Sequence, residues 1–310
     1  MIPILFKANA FDFSTYGIGP LPDTVSCEVT EERNGAYECV LKYPTSGRNY
    51  PELRNERIVK VKPNDTAADQ AFRIYRITTP INGIVTVYAQ HISYDLSGIP
   101  APLRESTSTP PQFAVEQEFE NAPISHRFTF RTDYTEPKPF SVDRPKSLRA
   151  MLGGSEGSLM NLWGGEFEWD NYRVIHHRGR GVNAGVVIEY GKNLTKLEHD
   201  ADAGEVYTDL LPYAVSTADD GTETVITLRE QLLPIVAENT ARRKTLIRDF
   251  TDSFSYGTAV TEEMLRERAV KYLQNNPLGM ETPTRTVAFE PLWKQPEYAA
   301  VLERVSLCDT

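Results

Sequence analysis

Cysteine is scarce in this chain: Cys27, Cys39 and Cys308 are the 3 present in 310 residues, and none forms a C-x-x-C spacing. So odd and sparse a set argues against a disulfide scaffold and against a cysteine-based zinc site. No stretch approaches the roughly 18 consecutive apolar residues of a helical membrane span, so no membrane anchor is expected. The opening residues from Met1 to Phe11 lack the basic run and long apolar core of a secretory signal and read as a first strand. Synthesis in a reducing cytoplasm suits the free thiols. Lysine and arginine number 33 against 43 acidic residues, a formal charge of −10, which argues against wholesale binding to nucleic-acid backbone because that mode needs a basic face. Internal repeats, low-complexity linkers and the H-E-x-x-H, P-loop and G-x-G-x-x-G patterns are absent too.

What is present is an ordinary folded composition, 40% hydrophobic and 25% charged, in a chain long enough for more than one core. The first hundred or so residues alternate with the two-residue period of strands. Thr24–Thr30 and Ala36–Tyr43 flank Asn34-Gly35, a strong hairpin signal, and pairing across it brings Cys27 and Cys39 onto neighbouring strands as small buried thiols. Arg57–Lys62, Phe72–Thr78 and Ile84–Ala89 read as further strands. The polar stretch Thr107–Pro111 is where the chain is expected to leave this lobe, with Pro110 starting a short helix through Phe113, Val115 and Phe119. A longer helix is expected from Thr261 to Leu273: Thr261 caps it, Glu262 and Glu263 sit at its positive end, and Leu265, Ala269, Tyr272 and Leu273 form its apolar face. The fold class is therefore mainly β with a few short helices (α+β).

Chemical motifs are weak. Gly164–Gly181, with His176 and His177, suggests a metal or catalytic site, but a two-residue turn at Asp170-Asn171 makes it a hairpin. Trp169 then faces Tyr172, Glu168 faces Arg173, and the two histidines project to opposite faces, unable to grip one ion. Arg178–Gly181 reads as a flexible bend. Gly153–Gly157 fits G-x-S-x-G, but the helical look of Pro145–Leu152 before it makes the glycines a helix terminator and Ser155 or Ser158 the next cap. Trp163 and Trp293 read as core residues before they read as saccharide platforms. Residue chemistry assigns no catalytic, cofactor-binding or metal-ligating position and calls for no cofactor.

Several stretches, in order, resemble one family. They are the Asn34-Gly35 hairpin with Leu41–Pro44, the run Tyr88–Leu96, Gly164–Asp170 leading to Arg178–Arg180, Gly185–Leu194, Asp209–Ala214 and the closing Leu307–Thr310. Together they resemble the amino-terminal hub region of phage tail proteins known as prophage endopeptidase tail or tail-associated lysin.

The resemblance implies a multi-lobed baseplate-hub fold with barrel-like domains related to tail-tube rings. It places a first lobe at residues 1–98, completed by strands from 181–230, a second β-rich lobe at 99–180, and a third mixed lobe at 231–310. Family members commonly continue into an enzymatic or carbohydrate-binding extension, so the third lobe is expected to be cut short. The implied function is structural and non-enzymatic: a tail-tip hub, synthesised in the bacterial host cytoplasm, that closes the distal end of the tail tube as a homotrimer. Its implied partners are the distal tail protein ring and the tape measure protein, with DNA only in transit through the channel. A peptidoglycan-degrading tail lysin, endopeptidase or glycosidase, is the alternative, and a saccharide-binding module is a third reading.

Overall fold

The computed structural model describes residues 2–78, 80, 82–154, 157–182, 187–202, 204, 206–217, 222–235, 242–254, 259–276, 278–279, 282–294 and 308. The chain divides into two compact units, Met1–Val186 with Glu303–Thr310, and Val187–Leu302.

The first unit is built on seven strands, β1 (Ile4–Phe6), β2 (Gly19–Pro20), β3 (Ser26–Glu31), β4 (Tyr37–Pro44), β5 (Ile58–Val61), β6 (Gln70–Ile77) and β7 (Ile84–His91). They form one curled antiparallel sheet in the order β2-β1-β5-β6-β7-β4-β3. The period-2 pattern explains the inner face: Tyr37, Cys39, Leu41 and Tyr43 of β4 and Val85, Val87 and Ala89 of β7 all point into one core. At β1 and β5 the second face is covered as well. Ile4, Phe6 and Ile58 pack there with Ala71 and Ile92, while Leu5, Val59 and Val61 join the main core, so these short strands read as unbroken apolar runs. Lys60 falls on that second face and keeps its charge solvated by protein, donating to the Phe13 carbonyl at 2.7 Å.

The next elements are β8 (Arg104–Thr109), α1 (Pro111–Glu120), β9 (Thr129–Thr132), β10 (Lys138–Val142), α2 (Leu148–Leu152), α3 (Leu159–Trp163), β11 (Glu166–Asp170) and β12 (Arg173–His177). β8 pairs with β10, and β11-β12-β9 form a second sheet in which β12 and β9 run parallel. Phe119, Phe140, Leu148, Leu159, Trp163 and Trp169 share the core of the seven-stranded sheet, so residues 1–98 and 99–180 enclose one hydrophobic interior. Thr107–Thr109 belong to strand β8, because Lys138–Phe140 supply a partner edge that only the fold reveals. Phe113 is 52% exposed, since the buried stripe of α1 runs through Pro111, Ala114, Val115, Glu118 and Phe119 and position 113 lies off it.

The second unit holds β13 (Leu194–Asp202), β14 (Asp209–Thr217), β15 (Glu223–Thr227), β16 (Leu233–Pro234), β17 (Thr245–Asp249), α4 (Glu262–Asn275) and β18 (Thr282–Phe289). β13 pairs with β18, and β14 pairs with β15 and β16 on one edge and with β17, in parallel, on the other. Pro212, with no N–H to give, lies in the gap between the β15 and β16 ladders. The strands from 181–230 expected to complete the first lobe thus find their partners within the second unit. The reason is packing: Leu210 and Ala214 of β14 need an apolar cover, and Leu265 and Ala269 of α4 supply it. Helix α4 begins as its sequence demands, with the Thr261 hydroxyl accepting from Met264 N at 3.3 Å and Glu262 pairing with Arg266 at 3.0 Å. Arg266 also holds the Glu230 carboxyl down, to about 2, through a direct hydrogen bond.

Leu265 is fully buried, so Leu265→Ala is expected to remove about 2–5 kcal/mol of second-unit stability. The measurement is the midpoint shift of a urea titration.

Candidate functional site

Of the residues weighed for chemistry, His176, His177, Arg178 and Arg180 lie at a joint inside the first unit, where the β3–β4 hairpin and the start of β6 meet the β11–β12 hairpin. Asn34 sits in the left-handed region at φ 55 at the tip of the first hairpin. Its side-chain amide donates to Gly165 O at 3.0 Å and accepts from Phe167 N at 2.8 Å, supplying the edge of β11 with the donor and acceptor that a neighbouring strand would give. Asn171, at φ 51, does the same from the opposite hairpin. It accepts from Ala71 N at 2.9 Å, donates to Asp69 O at 3.1 Å, and its own N–H reaches Gln70 Oε1 at 2.8 Å.

This anchoring moves the expected turn by one residue and every cross-strand partner by two. Asp170 pairs with Arg173, Trp169 with Val174 and Phe167 with His176, leaving Asn171-Tyr172 as the turn. Tyr172 therefore leaves the Trp169 face, stacks on Phe13 at 6.0 Å and donates to Ala10 O. Pairing of Glu168 with Arg173 gives way to an Asp170–Arg173 ion pair.

The histidines part as the alternation requires. His176 is fully buried, stacked on Tyr134 at 4.8 Å, with Nε2 on Gly164 O at 2.7 Å and Nδ1 on the Thr132 hydroxyl at 3.1 Å. Burial pulls its pKa below the ordinary value, so the neutral ring donates from Nε2 and accepts at Nδ1. His177, on the other face, lies between Asp133 Oδ2 at 3.0 Å and Glu168 Oε2 at 2.7 Å. Gly165 permits this crossing: at φ +87 a Cβ there would lie 2.3 Å from His177 O.

Arg178–Arg180 is an anchored segment, in contrast to the flexible bend expected, because both guanidiniums find carboxylates. Arg178 pairs with Glu136 at 2.5 Å, and Arg180 bonds Glu31 Oε1 at 3.2 Å and Phe167 O at 2.9 Å. Burial pushes the Glu166 carboxyl up, but the Arg180 N–H, the Cys308 thiol and the Arg33 and Arg180 guanidiniums outweigh it and hold the group below its ordinary range.

A histidine that the sequence did not single out completes the joint. His91 is fully buried between Tyr37, stacked at 4.5 Å, and Phe72. Its Nδ1 accepts from Ser93 N at 3.2 Å, so Nε2 carries the proton and donates to Gln70 Oε1 at 3.1 Å. Arg149, held over the Tyr94 ring at 3.9 Å and the Trp169 ring at 4.6 Å, donates to the Ser93 hydroxyl at 3.0 Å. A hydrogen-bonded chain thus runs Arg149–Ser93–His91–Gln70–Asn171. The alternation of β7 was the available signal for burying His91; its partners were not readable.

Ser158 caps α3 by accepting from Asn161 N, Trp163 is buried, and Ser155 and the Trp293 side chain lie outside the described residues. Cys39 is buried and Cys27 half-buried, their sulfurs 3.6 Å apart. Among the described residues no group of three or more His, Cys, Asp or Glu side chains is placed to hold a metal ion. No helix among them is long and apolar enough to cross a membrane. The arrangement holds two sheets in register, and its polar groups are spent on one another.

Comparison with known proteins gives matches among solved structures alone: no protein-family model matches the chain, and no curated protein does. The chain is similar to prophage tail protein gp18 of Listeria monocytogenes EGD-e, with 14% identity and a TM-score of 0.47, over 87% of this chain and 77% of that one. It is also similar to the 43 kDa tail protein of prophage MuSo2 from Shewanella oneidensis, at 12% identity and TM-score 0.45, covering 86% and 71%. A tail protein of Neisseria meningitidis MC58 aligns at 8% identity and TM-score 0.41, over 77% and 68%.

Burial first, and the Arg149 charge second, pull the His91 pKa from 6.5 down to about 3. Between those values the unfolded chain binds a proton that the folded chain refuses, so stability is full above about pH 6.5 and falls as pH drops toward about 3. Urea midpoints measured from about pH 7 to about pH 4 are expected to decline on acidification, and to decline less steeply in His91→Gln.

Proposed function

We propose that this chain is a structural protein of a phage or prophage tail tip: a baseplate hub that closes the distal end of the tail tube as a homotrimer and surrounds the channel for DNA and tape measure protein. One observation carries the reading. The early stretches that resemble the tail-hub family, spread over more than a hundred residues, come together as the joint of the first unit. Asn34-Gly35 is the hairpin tip that bonds β11, and Gly164–Asp170 is the β11 segment it bonds. Tyr88–Leu96 supplies His91 and Ser93 of the buried chain, and Arg178–Arg180 ties β11 to Glu31. Residues that carry the resemblance serve to fix the shape of a framework, which is the task of a building block.

Charge supports the same reading. Three copies at −10 each carry about −30, and an acidic lumen repels phosphates, so that DNA passes without adhering. The distal tail protein ring is the neighbour such a hub would meet, at the virion tail tip.

The test is solution mass over a range of concentrations together with low-resolution imaging, alone and mixed with a distal tail protein. A threefold ring with an open bore is the expected particle. A monomer under every condition that also releases soluble fragments from purified host wall would replace the hub with the lysin.

A further inference from the structure

The two hairpin cysteines form a unit that the hub reading does not use. β3 and β4 pair with Val29 opposite Cys39 and Cys27 opposite Leu41, so Cys27 and Cys39 are diagonal neighbours on one face, with sulfurs 3.6 Å apart. That separation is van der Waals contact, and closing it to the about 2.0 Å of a disulfide requires the two side chains to move together. Their surroundings differ. Cys39 is buried in the core, whereas Cys27 is half-buried on β3, a strand that among the described residues pairs only with β4. We propose that Cys27 and Cys39 are a dithiol that closes to a disulfide by exchange with a small-molecule disulfide such as oxidised glutathione, stapling the edge strand of the sheet once the protein leaves a reducing compartment.

Exposure assigns the roles. Cys27, half-buried on the edge strand, meets an external disulfide first, and Cys39, buried and in contact with the Cys27 sulfur, resolves it. Cys27 as thiolate attacks one sulfur of glutathione disulfide; the sulfur–sulfur electron pair leaves with one glutathione thiolate, which takes up the proton that Cys27 released. Cys39 then gives up its proton, attacks Cys27 Sγ and expels the second glutathione thiolate, which accepts that proton. Two cysteine thiols are oxidised and one external disulfide is reduced to two thiols. Cys308 stands apart as an internal control: burial and the Glu166 carboxylate push its thiol up, away from the nucleophilic form.

The experiment incubates the full chain with glutathione disulfide at neutral pH, quenches with acid, alkylates remaining thiols after denaturation, and maps peptides by mass without reduction. Two of the 3 thiols are expected to disappear as a Cys27–Cys39 crosslink, leaving Cys308 alkylated. Cys39→Ser should stop at a glutathione adduct on Cys27, and Cys27→Ser should keep its remaining thiols free. Retention of all thiols by the unsubstituted chain, a crosslink through Cys308, or an adduct on Cys39 would overturn the proposal, and the first two need no variant to fold.

Discussion

The first unit depends on side-chain amides standing in for a strand. A sheet edge presents N–H and C=O groups that cost about 1–3 kcal/mol each when buried without partners. At the junction of the seven-stranded and three-stranded sheets, no strand among the described residues pairs with the outer edge of β11 to meet them. Asn34 and Asn171 do so instead, each from a hairpin tip whose left-handed backbone aims the amide across the gap. Asparagine is suited to this because it tolerates positive φ and carries a donor and an acceptor on one planar group. The Arg149–Ser93–His91–Gln70 chain then fills the remaining polar positions behind them. A half-satisfied network here would be worse than none, which is why His91 must stay neutral.

Such a joint favours rigidity over reactivity. Each histidine nitrogen within it is committed to a neighbour, and each arginine is bonded, ion-paired or stacked. Groups spent on one another in this way fix the positions of the strands they join. Under the proposed hub reading, the net acidic charge belongs to the same picture.

Much of the framework was legible in the sequence, and the failures share a cause. Asn34-Gly35 announced its hairpin, and Thr261 with the Leu265 and Ala269 stripe announced α4, because these signals are local and strong. The turn lies one residue, and the register two, from the reading at Asp170-Asn171, since cross-strand pairing of Trp169 with Tyr172 looks favourable in isolation and the anchors on Asp69 and Ala71 lie a hundred or so residues away. Strand β8 at Thr107–Thr109 was not legible because a polar strand shows itself only beside its partner. Arg178 and Arg180 looked flexible until Glu136 and Glu31 came into reach. The joint itself was invisible for the same reason: Asn34 and Gly165 are 131 positions apart, a pairing that no local rule encodes.

Amide hydrogen exchange at Phe167 and Ala71 tests this account most directly, because those two N–H groups donate to the side chains of Asn34 and Asn171. If the amides weld the sheets into one cooperative body, both protons will exchange only with global opening of the unit, at rates matching the core of β4 and β7. Fast exchange at both positions, on the timescale of exposed loops while β4 and β7 stay protected, would contradict it.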